Sequence, residues 1–217
     1  MALALFDLDN TLLAGDSDYL WGRFLVEQKR VDEAYYDNEN KRFLELYQQG
    51  KLDIYEFAAF AFRPLVEIEL QTLTTLHQQF MQEKIRPIIT DKARALVEQH
   101  RSAGDTLIII TATNSFVTRP IATELGIEHL IATEPEQIAG RFTGKIAGTP
   151  CFQEGKIHRL QQWLIDQSIE FKDCTFYSDS NNDLPLLKRV NHPIVVDPDE
   201  KLAEYAQAHN WPVISLR

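Results

Sequence analysis

Four short apolar runs, each closing on a polar or acidic residue, set the frame of the chain: Ala2 to Phe6 before Asp7, Leu107 to Ile110 before Thr111, Thr175 to Tyr177 before Ser178 and Asp179, and Ile194 to Val196 before Asp197. An unbroken apolar run of this length reads as a strand buried on both faces. Between the runs, apolar residues recur at helical spacing over Asp91 to Gln99, Phe116 to Leu125 and Lys156 to Ile165, with Gly104 and Gly126 placed as helix stops. Strand alternating with helix predicts an α/β fold on a parallel sheet. Ligands of such sheets bind beyond the carboxyl ends of the strands, where Asp7, Thr111 and Asp179 are expected.

One stretch breaks the alternation. From about Gly15 to Arg86 no strand is legible, yet aromatic and apolar residues recur at helical spacing through LWGRFLVEQ, NKRFLELYQQ, DIYEFAAFAF and LHQQFMQ. This predicts a helical insertion that leaves after the first strand and returns near Pro87, because the residue before a proline is biased out of helix. The expected division is a core of residues 1–13 and 88–217 with a cap of residues 14–87, hinged near Leu13 and Pro87. A second excursion, TEPEQIAGRFTGKIAG, has glycines at 140, 144 and 148 and suggests a small β hairpin.

Composition narrows the function. The 217 residues are 44% hydrophobic and 25% charged, with a formal charge of −10 and no basic run. Nucleic acid and anionic membrane are therefore not expected partners. A small phosphorylated metabolite is compatible, because a bound divalent cation can invert the local charge. The apolar stretch after Met1 is too short for a signal peptide, and no run approaches the ~20 residues that span a bilayer, so a cytoplasmic location is expected. Cys151 and Cys174 show no CxxC spacing, which suggests neither a disulfide framework nor a thiolate zinc site. Composition leaves the oligomeric state open.

Two acidic motifs carry the chemistry. In Phe6-Asp7-Leu8-Asp9-Asn10-Thr11, two acids stand where a buried strand ends, and carboxylate oxygens there suit a hard cation such as Mg²⁺. The alternative is a turn begun by Asp9 and Asn10. Ser178-Asp179-Ser180-Asn181-Asn182-Asp183 again follows a buried strand, with Asp183 open to a capping role ahead of Pro185. Thr111 and Lys156 are weak signals singly, a cap or a surface lysine. A hydroxyl and an ammonium beside a cation are what a phosphate dianion requires.

DLDNT, the strand closing on Thr111, Lys156 and SDSNND, in that order and spacing, resemble the four motifs of the haloacid dehalogenase superfamily of phosphatases. The helical insertion resembles the cap of its phosphoserine phosphatase branch, and AGDSDYLWG, ITATN, YSDSNNDLPLL and NWPVISLR resemble a bacterial group of histidinol-phosphate phosphatases. The resemblance implies a Rossmann-like, three-layer α/β core with a C1-type helical cap. It implies Mg²⁺ held by Asp7, the Asp9 carbonyl and Asp179, with Asp183 gripping a metal-bound water or Lys156. Asp7 would be the nucleophile and Asp9 the general acid and base, with Thr111, Lys156 and Asn182 on the phosphate. An acid at the position of Asp16 faces the substrate amine in that branch. A cap arginine there holds the phosphoserine carboxylate, and aligning DIYEFAAFAF places Phe60 at its position. Histidinol phosphate is thereby favoured over phosphoserine, with capping by Asp16 and core burial of Phe60 as the alternatives. Phosphotransfer to an alcohol, or a regulatory protein with a relic site, are the readings of other classes.

Overall fold

The structure, a computed structural model, describes residues 2–217. Among these, seven strands form one sheet: β1 Leu3–Phe6, β2 Thr106–Asn114, β3 His129–Ile138, β4 Arg141–Ala147, β5 Cys174–Ser178, β6 His192–Val196 and β7 Val213–Ile214. Their spatial order is β4-β3-β2-β1-β5-β6-β7. All neighbours run parallel except β3 and β4. β1 lies at the centre because LALF is apolar on both faces. Its alternation divides the interior, with Ala4 and Phe6 in one apolar cluster and Leu3 and Leu5 in the other.

Helices cover both faces. α1 Ser17–Glu27, α2 Glu33–Gln48, α3 Ile54–Ala61, α4 Arg63–Glu67 and α5 Leu70–Phe80 lie between β1 and β2, followed by α6 Asp91–Ser102; α7 Ser115–Glu124 follows β2. α8 Glu154–Gln167, α9 Leu184–Leu187 and α10 Glu200–His209 pack on the face of Leu3 and Leu5 through residues such as Leu160, Leu187 and Leu202. The antiparallel excursion of β3 and β4 turns at Ala139 and Gly140, both at positive φ, as a two-residue hairpin requires.

Trp21 and Phe24 of α1, Ala58 of α3, Leu65 of α4 and Leu73 and Phe80 of α5 belong to the same cluster as Phe6 of β1 and Val117 of α7. At the expected boundary of the insertion, Leu13 forms an antiparallel bridge with Ile89. Tyr36, Phe43 and Phe60, from α2 and α3, form a small cluster of their own with Val26.

Glycine decides one position beside the site. A Cβ on Gly155 would stand 2.1 Å from the Pro150 carbonyl oxygen, so only a residue without a side chain lets α8 start against the 149–153 loop. Gly155→Ala is expected to lower stability by about 2–3 kcal/mol in urea unfolding. A loss within error of zero would show that the loop yields freely.

Candidate active site

At the end of β1 the Asp7 amide donates to the Tyr177 carbonyl at 2.9 Å, which fixes the chain where it leaves the sheet between β2 and β5. Thr11 follows in a tight turn whose Asn10 sits at φ 55, a conformation that asparagine tolerates. Its hydroxyl donates to Asp179 Oδ1 at 3.1 Å and lies 3.4 Å from Asp7 Oδ2. Lys156, in the first turn of α8, is buried and donates to Asp7 Oδ1 at 2.8 Å and to Asp183 at 2.7 Å. Ser178 donates to Asp183 Oδ2 at 2.7 Å. Motifs 149 positions apart thus meet at one ammonium.

Charge does not balance here. Burial pushes the Asp7 carboxyl up to about 7, outweighing Lys156, and the charges of Asp183 and Asp9 add to the rise. Burial, with the charges of Asp7 and Asp183, holds Asp179 well above the usual carboxylate range. Burial opposes the Lys156 ammonium, yet Asp183 and Asp7 together keep it above its ordinary value. Three carboxylates share a single lysine, and an all-oxygen set short of positive charge fits a hard divalent cation. No three His, Cys, Asp or Glu side chains converge as a ready metal cluster among the described residues. A cation here would therefore draw on Asp7 and Asp179 together with backbone carbonyl and water.

Asp9 is held differently. Its Oδ1 accepts from the Ser17 amide at 2.6 Å and its Oδ2 from the Thr113 hydroxyl at 2.8 Å. Burial and the charge of Asp16 raise it to about 6 against those bonds, a value suited to giving up and retaking a proton near neutrality.

These groups floor a cavity of about 360 Å³. Asp16 and Asp18 stand on its wall, and Phe43, Leu44, Leu52 and Phe57 of the insertion form an apolar side. Lys156 is the single cation among the described lining residues. The insertion is drawn onto the core at one corner. Tyr47 donates to Ser180 Oγ at 2.9 Å, Asn182 Nδ2 reaches the Tyr47 carbonyl at 3.5 Å, and Lys201 donates to the Gln48 carbonyl at 2.9 Å.

The predicted site residues Asp7, Asp9, Thr111, Lys156, Asp179, Asn182 and Asp183 all line this cavity. Thr111 Oγ1 accepts from the Thr113 amide at 3.2 Å, which leaves its own proton to donate. Asp16 caps α1, accepting from the Tyr19 amide at 2.9 Å, and also lines the cavity. Phe60 does not line it. It packs among Tyr36, Phe43 and Phe57, and the residues of α3 that line the cavity are Ile54 and Phe57, the latter one turn before Phe60. Arg63 pairs with Glu67 and is not on the wall. Sequence reasoning missed Thr113, Tyr47 and Asp18. In sequence Asp18 looks like any acid in the first turn of a helix, and only the fold turns it inward.

The model of the haloacid dehalogenase-like hydrolases matches residues 4–188. The chain belongs to that family. A histidinol-phosphatase of Neisseria meningitidis is 42% identical over 99% of both chains. A phosphoserine phosphatase of Mycobacterium tuberculosis is 32% identical over all of this chain and 71% of its own length. In structure, a protein of unknown function from Bordetella pertussis superposes with a TM-score of 0.94 at 45% identity, covering 100% of this chain and 99% of that one. A substrate-bound phosphoserine phosphatase superposes at 0.71 with 18% identity, covering 98% and 91%, and so shares the fold.

The charge deficit of this hydrolase has a measurable consequence. Asp7 holds its proton more tightly in the folded metal-free protein than its ordinary value of 3.8 allows in the unfolded chain. Its contribution to stability is full below about pH 4 and is lost as pH rises through 7. In chelator, Asp179→Asn, which removes one repelling charge, is expected to raise Tm by about 3–6 °C at pH 8 and by less at pH 5. A Tm that falls on this substitution at pH 8 would contradict the electrostatic picture.

Proposed function

We propose that this hydrolase, a phosphatase of phosphoric monoesters, works through a phosphorylated Asp7 with Mg²⁺ as cofactor and takes histidinol phosphate as its substrate. The observation that carries the chemistry is the Lys156 ammonium between Asp7 and Asp183, at the carboxyl end of the central strand.

Lys156 and Thr111 both line the cavity, and a substrate phosphate bound between them would take donors from the ammonium and the hydroxyl. An Asp7 oxygen attacks phosphorus as the bond to the substrate alkoxide breaks, and Asp9 gives its proton to that leaving oxygen. Asp9 then takes a proton from water, whose oxygen attacks the same phosphorus. The bond to Asp7 breaks and inorganic phosphate leaves. Thr113 and the Ser17 amide hold the Asp9 carboxyl in place through both transfers. Asp7, the Asp9 carbonyl and Asp179 are the groups to hold Mg²⁺, whose charge, when bound, offsets that of the phosphoryl oxygens and of the three acids.

The organic half is read from the rest of the cavity. A wall holding Asp16 and Asp18 and, among the described residues, no arginine favours an amine and leaves a substrate carboxylate without a partner. Phe43 and Phe57 offer faces for a flat ring. Histidinol phosphate has the amine and the ring and lacks the carboxylate of phosphoserine.

With Mg²⁺, kcat/KM for L-histidinol phosphate is expected to exceed that for phosphoserine by at least about a hundredfold, roughly the 3 kcal/mol of one missing charge partner. Equal values would overturn the substrate assignment. Asp7→Asn is expected to abolish turnover of both esters, and mass spectrometry of acid-quenched wild type to find phosphate on Asp7. Phosphate on a serine or histidine, or full activity in excess chelator, would overturn the chemistry.

A further inference from the structure

Of the four apolar runs that close on a polar residue, three end in the cavity, at Asp7, Thr111 and Asp179. The fourth, in β6, ends on Asp197, which does not line the cavity and which the phosphoryl chemistry leaves idle. Asp197 sits at φ 42, a left-handed conformation uncommon for a residue with a side chain. Its carboxylate meets the segment after β7: Oδ2 accepts from the Leu216 amide at 3.0 Å and lies 3.7 Å from Arg217 Nη1. Leu216 is fastened on two further sides. Its carbonyl accepts from the Thr90 hydroxyl at 2.7 Å, and its side chain is buried in the main core. Arg217 thus leaves a fixed point, and its Nη2 donates to the Asn10 carbonyl.

Asn10 stands between Asp9 and Thr11, lines the cavity and is itself left-handed, at φ 55. Such a conformation persists only where the surroundings hold it. Here both backbone groups of Asn10 are held. Its amide donates to the Gly15 carbonyl at 2.9 Å, and its carbonyl takes a charge-assisted bond from the guanidinium. The neighbouring acids and hydroxyl have anchors of their own, Asp7 on Lys156 and the Tyr177 carbonyl, Thr11 on Asp179. The backbone that carries Asp9 is held through Asn10.

We propose that Arg217, aimed by Asp197, is a positioning residue for the proton transfers of Asp9. The guanidinium fixes the peptide that follows Asp9, so that the carboxyl stays on the Ser17 amide and the Thr113 hydroxyl and faces the leaving oxygen. Removing it loosens the turn and removes no group that touches the substrate. The inference rests on the reading of Asp9 as general acid and extends it to residues outside the cavity.

The test compares two esters through kcat/KM, which counts the steps up to departure of the leaving oxygen. An alkyl ester such as L-histidinol phosphate needs a proton at that oxygen; p-nitrophenyl phosphate, whose phenolate is stable, does not. In the Mg²⁺-loaded enzyme Arg217→Met, which keeps an apolar stem and loses the donors, is expected to lower kcat/KM at least about tenfold for the alkyl ester and less than about threefold for the aryl ester. Asp197→Asn, which keeps an acceptor for Leu216 and loses the charge, is expected to show the same order with a smaller loss. Thermal unfolding establishes that each variant is folded, and Asp197→Asn carries the test if Arg217→Met is not. Equal losses for the two esters in a folded variant, or no loss for either, would overturn the positioning role and leave the chemistry of Asp7 and Asp9 intact. An Asp9→Asn variant that slows both esters equally would overturn Asp9 as the acid, and the inference with it. If the wild type fails on histidinol phosphate, the substrate assignment falls and phosphoserine serves as the alkyl ester.

Discussion

Everything at the site depends on one buried ammonium. Lys156 is brought against Asp7 and Asp183 where three segments distant in sequence meet, the end of β1, the start of α8 and the turn after β5. Placing a lysine there is costly in isolation, and two carboxylates within hydrogen-bond reach offset the cost. The third acid, Asp179, leaves the cluster short of positive charge. A site that were neutral in itself would have less reason to take up a cation or to release it.

The same logic, with the sign of the missing charge carried along the cavity, divides the pocket into two ends. The floor offers Lys156 and the Thr111 hydroxyl to an anion, while the wall offers Asp16 and Asp18 to a cationic or proton-donating group. A substrate with a phosphate at one end and nitrogen at the other completes both. The helical insertion supplies the apolar side between them, and its contact through Tyr47 and Asn182 ties the closed cavity to the motif that follows β5. α1, α3 and α5 are packed into the main core through residues such as Trp21, Ala58 and Phe80, while Tyr36, Phe43 and Phe60 of α2 and α3 form a smaller cluster with Val26 of α1.

Much of this was legible along the chain, and the rest was hidden for identifiable reasons. The strands of the sheet centre announced themselves because burial on both faces forces continuous apolar runs such as LALF and LIII. β7, of two residues, is too short to leave a run, and the parallel half of β3, although Leu130 to Thr133 are buried, has only three apolar residues before Thr133 interrupts it. Asp7, Asp9, Asp179 and Asp183 were readable because acids at the ends of buried strands have few other uses. Phe60 was misplaced by one helical turn, an error that periodicity cannot correct, because Phe57 and Phe60 both lie on an apolar face and only packing chooses which meets the cavity. Asp18 could not be singled out at all, because its place on the cavity wall comes from the fold and not from any local pattern.

The central claim is that Asp7 takes the phosphoryl group before water does, so that phosphorus undergoes two in-line displacements. Turnover of a phosphorothioate monoester carrying two oxygen isotopes at phosphorus, in water of the third isotope, gives a thiophosphate chiral at phosphorus and measures this directly. Retention of configuration is the predicted result. Inversion, the mark of a single attack by water, would contradict it.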